Sequence, residues 1–455
     1  MKFLTPQRIA EVTGGEFVGD ISARNNRVAG AAKDNREVQP GNMFVCIRGA
    51  NNDGHSFANS AFEAGASCCL AERAIADAQG PYIIVASTYE AVKALGKYYR
   101  SLFDIPVIGV TGSVGKTTTK EMTASALGAK LNVMKTLDNM NNELGVPLTL
   151  LSLDESHEAA VIEMGISEFG AMSRLADMVR PNICIITKIG YSHLETLDSL
   201  DGVLQAKSEV FSYMDTGGVA VLNGDDELLR GYDPGLRKVM FGLGGHNDIR
   251  AENVRADGTR RLLFDIVSHS GRFEATVPSY GTHLASAALA ATAVGRLLSL
   301  TDEEIARGFL SYSPVSGRAN VADTGYITII DDRYNANPNS VMSALSSLSA
   351  LPNRRVAILG DMLELGGQSE RLHREVGSFA ARNDVDCLVC CGDMAAFIYE
   401  EYMTAGGKSA RFFHAKNKLI SAIPEFIREG DAVLVKASRG MKFEELLPYL
   451  NKQSE

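Results

Sequence analysis

The residues best suited to chemistry lie in one run, Gly109-Val110-Thr111-Gly112-Ser113-Val114-Gly115-Lys116-Thr117-Thr118. Its glycines let backbone N–H groups turn inward around phosphate oxygens, and a helix N-terminus behind them adds positive potential. Lys116 is placed to reach β- and γ-phosphates, and the Thr117 hydroxyl to hold Mg²⁺. Counted from Gly112, the spacing is shorter than in the standard phosphate loop, but an apolar run (105–110) precedes it and a helical pattern (119–127) follows.

Three further residues suit a nucleotide site. Glu163 ends the apolar run 159–162, and His193 lies just beyond the run 183–186. Ligands of open α/β sheets gather at the carboxyl ends of strands, so both are expected on the loop's side of a sheet. Lys207 falls within the helical stripe Leu200, Val203, Leu204, Val210, Phe211 and Met214. A buried ammonium is costly unless paired or chemically altered. Lys207 therefore either snorkels to the surface or faces the phosphate and metal region. No NKxD base-reading motif is found, which weakens a GTPase reading. Kinase, ATPase and ATP-driven ligase remain open at this level.

Three blocks of elements must position these residues. The first, 1–103, mixes short strands with turns, and 89–102 reads as a helix leading out of it. The second, 104–314, alternates apolar runs (105–110, 159–162, 183–186, 219–222) with helical patterns, which indicates βαβ units and a parallel sheet. Alternating, antiparallel-type segments follow from about 245, then an Ala-rich helix from His283. The third, 315–455, has strand candidates at 327–330, 356–359, 387–391 and 432–435 with helices between them. The expected fold class is α/β in three domains: a small α/β N-terminal domain, a central P-loop domain with a mostly parallel sheet, and a C-terminal Rossmann-like α/β domain.

Composition narrows the function class. The net charge is −10, which argues against nucleic acid or an anionic membrane as the main partner. An odd seven cysteines do not form a disulfide framework, and Cys387-x-x-Cys390 reads as a buried strand rather than a metal clip. No apolar run approaches membrane-spanning length and no signal-peptide pattern is seen, so a cytosolic protein is expected; a monomer is expected as well.

With these motifs in place, the chain resembles the Mur ligases of bacterial cell-wall synthesis along nearly its whole length. The residues carrying the resemblance begin with 34–41 (DNREVQPG), Gly49 and 53–57 (DGHSF) in the first block. In the second they are 111–121 (TGSVGKTTTKE), 139–147 (NMNNELGVP), 162–165 (IEMG), 193–195 (HLE) and 206–209 (AKSE). In the third they are 316–318 (SGR), 331–338 (DDRYNANP), 359–366 (LGDMLELG) and 436–440 (KASRG). The DDxYNANP form is similar to that of the branch adding D-alanyl-D-alanine, and the DNPR motif of the neighbouring branch is absent. Departures from the family pattern are Asn35 and Arg333 for serine, Ala437 for glycine, and Lys188 and Ala287 where asparagine is common.

The resemblance implies an ATP-dependent amide ligase, joining D-Ala-D-Ala to the terminal carboxylate of a UDP-N-acetylmuramoyl-tripeptide through an acyl phosphate. A related ligase adding a single amino acid is the alternative. It implies catalytic roles for Lys116, Glu163, His193 and Lys207. ATP contacts would come from Thr111, Gly112, Ser113, Val114, Gly115, Lys116, Thr117, Thr118, Asn142, Arg318, Asp332 and Tyr334. Substrate contacts would come from Asn35, Arg36, Gly49, His55, Asn335, Asn337, Ser438 and Arg439. Two Mg²⁺ ions would be held by Thr117, Glu163, His193 and a carbamylated Lys207.

Overall fold

The computed structural model describes residues 4–49, 52–258 and 260–451. Its strands form three separate sheets of five, nine and six strands. The smallest uses residues 16–84. Its strands Gly30–Ala32, Asn42–Val45, Cys68–Ala71 and Tyr82–Ile84 run parallel, and Glu16–Val18 closes one edge antiparallel. The helix Thr88–Arg100 leads out of it, N-capped by the Ser87 hydroxyl, and buries Val92, Leu95 and Tyr99.

The central sheet carries the phosphate loop. Seven parallel strands lie side by side, in the order Val133–Lys135, Ala159–Glu163, Val107–Thr111, Ile183–Ile186, Val219–Asn223, Arg237–Gly242 and Ile249–Asp257. The antiparallel strands Arg261–Ser268 and Gly271–Val277 extend the same sheet. The antiparallel pattern expected after residue 245 is present and continues the parallel sheet. Val107–Thr111 is wholly buried and sits between Ala159–Glu163 and Ile183–Ile186. The sheet therefore changes direction of winding at this strand, where open α/β sheets bind ligands.

Small residues set the packing behind the loop. The helix His283–Leu297 is alanine-rich, buried along its length, and packs against the phosphate-loop helix Lys116–Leu127. Helix Asp302–Phe309 also approaches it: a Cβ on Gly308 would lie 2.5 Å from the Ser125 carbonyl oxygen. Close helix contact needs the missing side chain there.

The C-terminal sheet has the order Asn320–Asp323, Thr328–Asp331, Ala432–Lys436, Arg355–Gly360, Cys387–Cys391 and Ala410–Phe413, parallel except at its first pair. Cys387–Cys391 is the buried strand expected of CLVCC, and all seven cysteines are buried and unbridged.

One helix departs from its sequence pattern. The apolar stripe predicts a continuous helix to Met214, but the α-helix Leu200–Ser208 tightens into a 3₁₀ segment, Glu209–Tyr213. The Glu209 carboxylate accepts bonds from the N–H groups of Gly170 and Ser173 and from the Ser173 hydroxyl. It caps the helix Ala171–Val179, a long-range tie that periodicity does not register.

Candidate active site

The phosphate loop joins strand Val107–Thr111 to helix Lys116–Leu127 with two left-handed glycines, Gly112 (φ 140°) and Gly115 (φ 84°). A Cβ on Gly112 would lie 2.0 Å from Thr187 Oγ1, so a side chain is excluded sterically as well. The neighbouring strand end braces the loop. Ser113 N donates to Lys188 O (2.8 Å), Thr187 Oγ1 to Val114 O (2.6 Å), and Ser113 Oγ to Gly190 O (3.0 Å). Lys116 Nζ folds back to Gly112 O at 2.8 Å. Burial lowers its proton affinity, Glu163 opposes that, and Arg318 adds to it.

In front of the loop lies a cleft of about 620 Å³, walled by the central and C-terminal sheets. Four cations (Lys116, Lys188, Arg318, Lys436) face three carboxylates (Glu163, Asp225, Asp332). The cleft is thus locally cationic in a chain of net charge −10, which suits an anionic ligand.

Glu163 is 1% exposed. Its Oε1 accepts a bond from Asn141 Nδ2 (2.7 Å), while its buried Oε2 has no protein partner. Thr117 is buried on the same cleft wall. An orphaned carboxylate oxygen beside a threonine hydroxyl and a phosphate loop fits a hard divalent cation such as Mg²⁺. Among the described residues no three His, Cys, Asp or Glu cluster as a metal cage. That also fits Mg²⁺, which takes few protein ligands and completes its shell with phosphate and water oxygens.

Lys207 is 1% exposed, so snorkelling is excluded. Burial holds its proton affinity well below that of an ordinary lysine, and the nearby Lys116 lowers it further. Lys207 is not among the residues that wall the cleft, which include Glu163, Ser167 and His193. His193 has Nδ1 2.6 Å from Glu364 Oε2, a partner on the loop after the C-terminal strand Arg355–Gly360.

The C-terminal domain supplies the opposite wall. The Arg318 guanidinium lies 3.7 Å from the centre of the Tyr334 ring. Asp332 pairs with the buried Lys436 (2.6 Å) and accepts the Ala319 N–H. Asn337 caps the helix Pro338–Ser349 in a capping box and reaches Ser113 O through Nδ2 (3.4 Å). Asn339 Oδ1 accepts the Tyr191 N–H. These bonds tie the two halves of the cleft together. Arg333, where the family has serine, pairs with Asp331 instead of entering the cleft.

Several expected contacts are placed differently. Asn142 is exposed and its Oδ1 caps the turn at Leu144 and Gly145; Asn141 is the asparagine in the cleft. Thr111 is buried within the sheet and the loop's lining of the cleft begins at Ser113, so neither Thr111 nor Gly112 lines it. Ser438 is buried, accepting the Leu363 N–H on its hydroxyl, so it orders a loop rather than meeting a ligand. Arg439 is exposed beyond the cleft, 5.3 Å from the Tyr334 ring centre.

Asn35, Arg36, Gly49 and His55 lie on the N-terminal sheet's loops, apart from the cleft. Arg36 is exposed and pairs with Asp34; Asn35 bonds Ser60; Gly49 closes a turn on Asn52. His55 is buried with both ring nitrogens engaged, Nδ1 by Asp53 and Nε2 by the Glu72 N–H. It positions its loop and has no nitrogen left for a substrate.

Sequence reasoning missed Asn141, His283, Glu364 and Lys436 as site residues. Asn141, Glu364 and Lys436 lay inside quoted motifs, and His283 opened the Ala-rich helix. The available signal was strand-end position for Lys436 and Glu364, and helix-start position for His283.

Comparison with known proteins gives a consistent pattern. The Mur ligase family catalytic domain matches residues 28–100, the Mur ligase middle domain 110–295, and the Mur ligase glutamate ligase domain 317–439. The chain is 35% identical to UDP-N-acetylmuramoyl-tripeptide–D-alanyl-D-alanine ligase of Bacillus subtilis, over 97% of each chain. It is 33% identical to the Escherichia coli enzyme of that name, over 99% of this chain and 98% of that one. Among solved structures it is similar to MurF from Acinetobacter baumannii (TM-score 0.87, 29% identity, 98% of each chain). A Thermotoga maritima MurF in complex with ADP gives a TM-score of 0.82 at 28% identity, over 94% of this chain and 98% of that one.

Proposed function

Since the chain belongs to the Mur ligase family, we propose that it ligates D-alanyl-D-alanine to the terminal carboxylate of a UDP-N-acetylmuramoyl-tripeptide, at the expense of ATP, in peptidoglycan precursor synthesis. The observation that carries this is end-to-end correspondence with enzymes of that name, in sequence and in fold. Among the described residues no helix is long and apolar enough to cross a membrane.

The chemistry follows from the difficulty of the reaction. A carboxylate is a poor electrophile with a poor leaving group. Its oxygen attacks the γ-phosphorus of ATP, the bond to ADP breaks, and an acyl phosphate forms. The free amine of D-Ala-D-Ala then attacks the acyl carbon, loses a proton, and expels phosphate. In this reading Lys116 and the loop N–H groups neutralise charge on the transferring phosphoryl group. Arg318, on the facing wall, adds a second cation. Asn337 and Asn339, bonded to the loop and its neighbour, hold the C-terminal wall in place and exclude water that would hydrolyse the acyl phosphate.

Thr117 and Glu163 would hold one Mg²⁺, and His193 with a carbamylated Lys207 would help hold a second, with Glu163 nearby; the ions would supply charge neutralisation. Carbamylation turns neutral Lys207 and CO₂ into an anionic oxygen ligand with release of one proton. The support is a buried lysine whose lowered proton affinity favours the neutral amine that carbamylation requires.

The test is ligation read by mass, with ATP, UDP-muramyl tripeptides and a set of D-dipeptides. An ATP-dependent gain of one dipeptide is expected. Phosphate release independent of both acceptor and dipeptide would point to a plain ATPase, and a gain of one amino acid to a different branch of the family. For the carbamate, activity of the parent chain should rise with bicarbonate after CO₂ depletion, and Lys207→Ala should be inactive at any bicarbonate concentration.

A further inference from the structure

We propose that Glu364 is a positioning residue for His193, and that it acts only when the C-terminal domain is packed on the central one. The inference rests on the reading of His193 as a metal-holding residue. His193 follows the strand Ile183–Ile186 of the central sheet, and Glu364 follows Arg355–Gly360 of the C-terminal sheet. Three contacts join the two loops. His193 Nδ1 meets Glu364 Oε2 at 2.6 Å, Leu194 N donates to Glu364 O at 3.0 Å, and Gly366 packs against Glu195.

Both residues adopt left-handed backbone conformations without being glycine (φ 54° and 64°). Such conformations are costly and persist where surroundings impose them. The Glu364 loop is itself anchored: Met362 and Leu365 are buried, and His373 Nε2 accepts the Met362 N–H at 3.0 Å.

A carboxylate on Nδ1 fixes the imidazole's tautomer and orientation and leaves Nε2 as the basic nitrogen. The Glu364 side chain is 58% exposed, so the pair adds little to stability. Its use is orientation. Because the carboxylate arrives from the other domain, His193 is oriented only in the closed arrangement, which links completion of the metal site to exclusion of water.

The test uses the full chain with a non-hydrolysable ATP analogue and Mn²⁺ as probe, free Mn²⁺ being read by electron paramagnetic resonance. Glu364→Ala should weaken Mn²⁺ binding by about tenfold or more, the usual effect of losing such a carboxylate. Glu364→Gln, which keeps an acceptor oxygen, should lose less. Neither should change the thermal midpoint. If His193→Ala weakens Mn²⁺ binding while Glu364→Ala leaves it unchanged or tighter, this inference is overturned, and tighter binding would mean that the carboxylate competes with the metal. If His193→Ala has no effect, the metal reading of His193 fails and the role of Glu364 fails with it.

Discussion

Replacing Lys207 by methionine should make the protein more stable and inactive. The side chains are similar in size, so the packing volume is kept. The parent bears the burden of a buried amine with no hydrogen bond or ion pair recorded to it among the described residues, beside the like charge of Lys116. Burial holds the amine's proton affinity well below the ordinary lysine value of 10.5, and Lys116 lowers it further. Replacing a buried ionisable group by an apolar side chain of similar volume gains about 1–4 kcal/mol.

The pH dependence has a definite sign. The folded-state proton affinity is lowered, so the unfolded chain binds the extra proton and the parent is penalised below pH 10.5. The methionine variant's advantage should vanish as pH approaches 10.5 and grow as pH falls below it. Urea unfolding in CO₂-depleted buffer at several pH values measures it, and added bicarbonate should stabilise the parent alone. Equal or lower stability of the variant at pH 7, or an advantage independent of pH, would refute the reasoning.

Other perturbations have equally specific outcomes. Lys436→Met should destabilise by about 3–5 kcal/mol in urea unfolding, because Asp332 loses its buried partner; pairing it with Asp332→Asn should recover much of the loss. Asn337→Ala should cost about 1 kcal/mol for the lost helix cap and, in hydrogen exchange, expose the Ser113 loop more than distant strands. His373 is buried with a lowered pKa, chiefly from desolvation, so its stability contribution is present above pH 6.5 and is lost as pH falls below it. His373→Gln should flatten the fall in urea midpoint between pH 7.5 and 5.5.

Much of the site was legible because its chemistry is local. Phosphate binding needs a strand, a glycine turn and a helix start within a dozen residues, and all three are contiguous at 107–118. Glu163 and His193 were legible because strand ends can be read from apolar runs and functional groups gather there. Asn142 and Asn141 could not be told apart. Adjacent residues share every sequence signal, and only the fold turned one to the turn at Leu144 and the other to Glu163. His55 and Ser438 were misread for a related reason: a polar residue in a motif can serve the loop instead of the ligand, and hydrogen-bond partners decide which.

The sequence by itself determined three α/β units, the phosphate loop and the odd position of Lys207, since periodicity and glycine placement are properties of neighbouring residues. Tertiary structure decided that Lys207 is sealed from water and that the antiparallel strands extend the parallel sheet. It also decided that His193 meets a carboxylate 171 positions further along the chain. Those outcomes depend on which surfaces pack together, and packing joins residues whose separation along the chain carries no record of their contact.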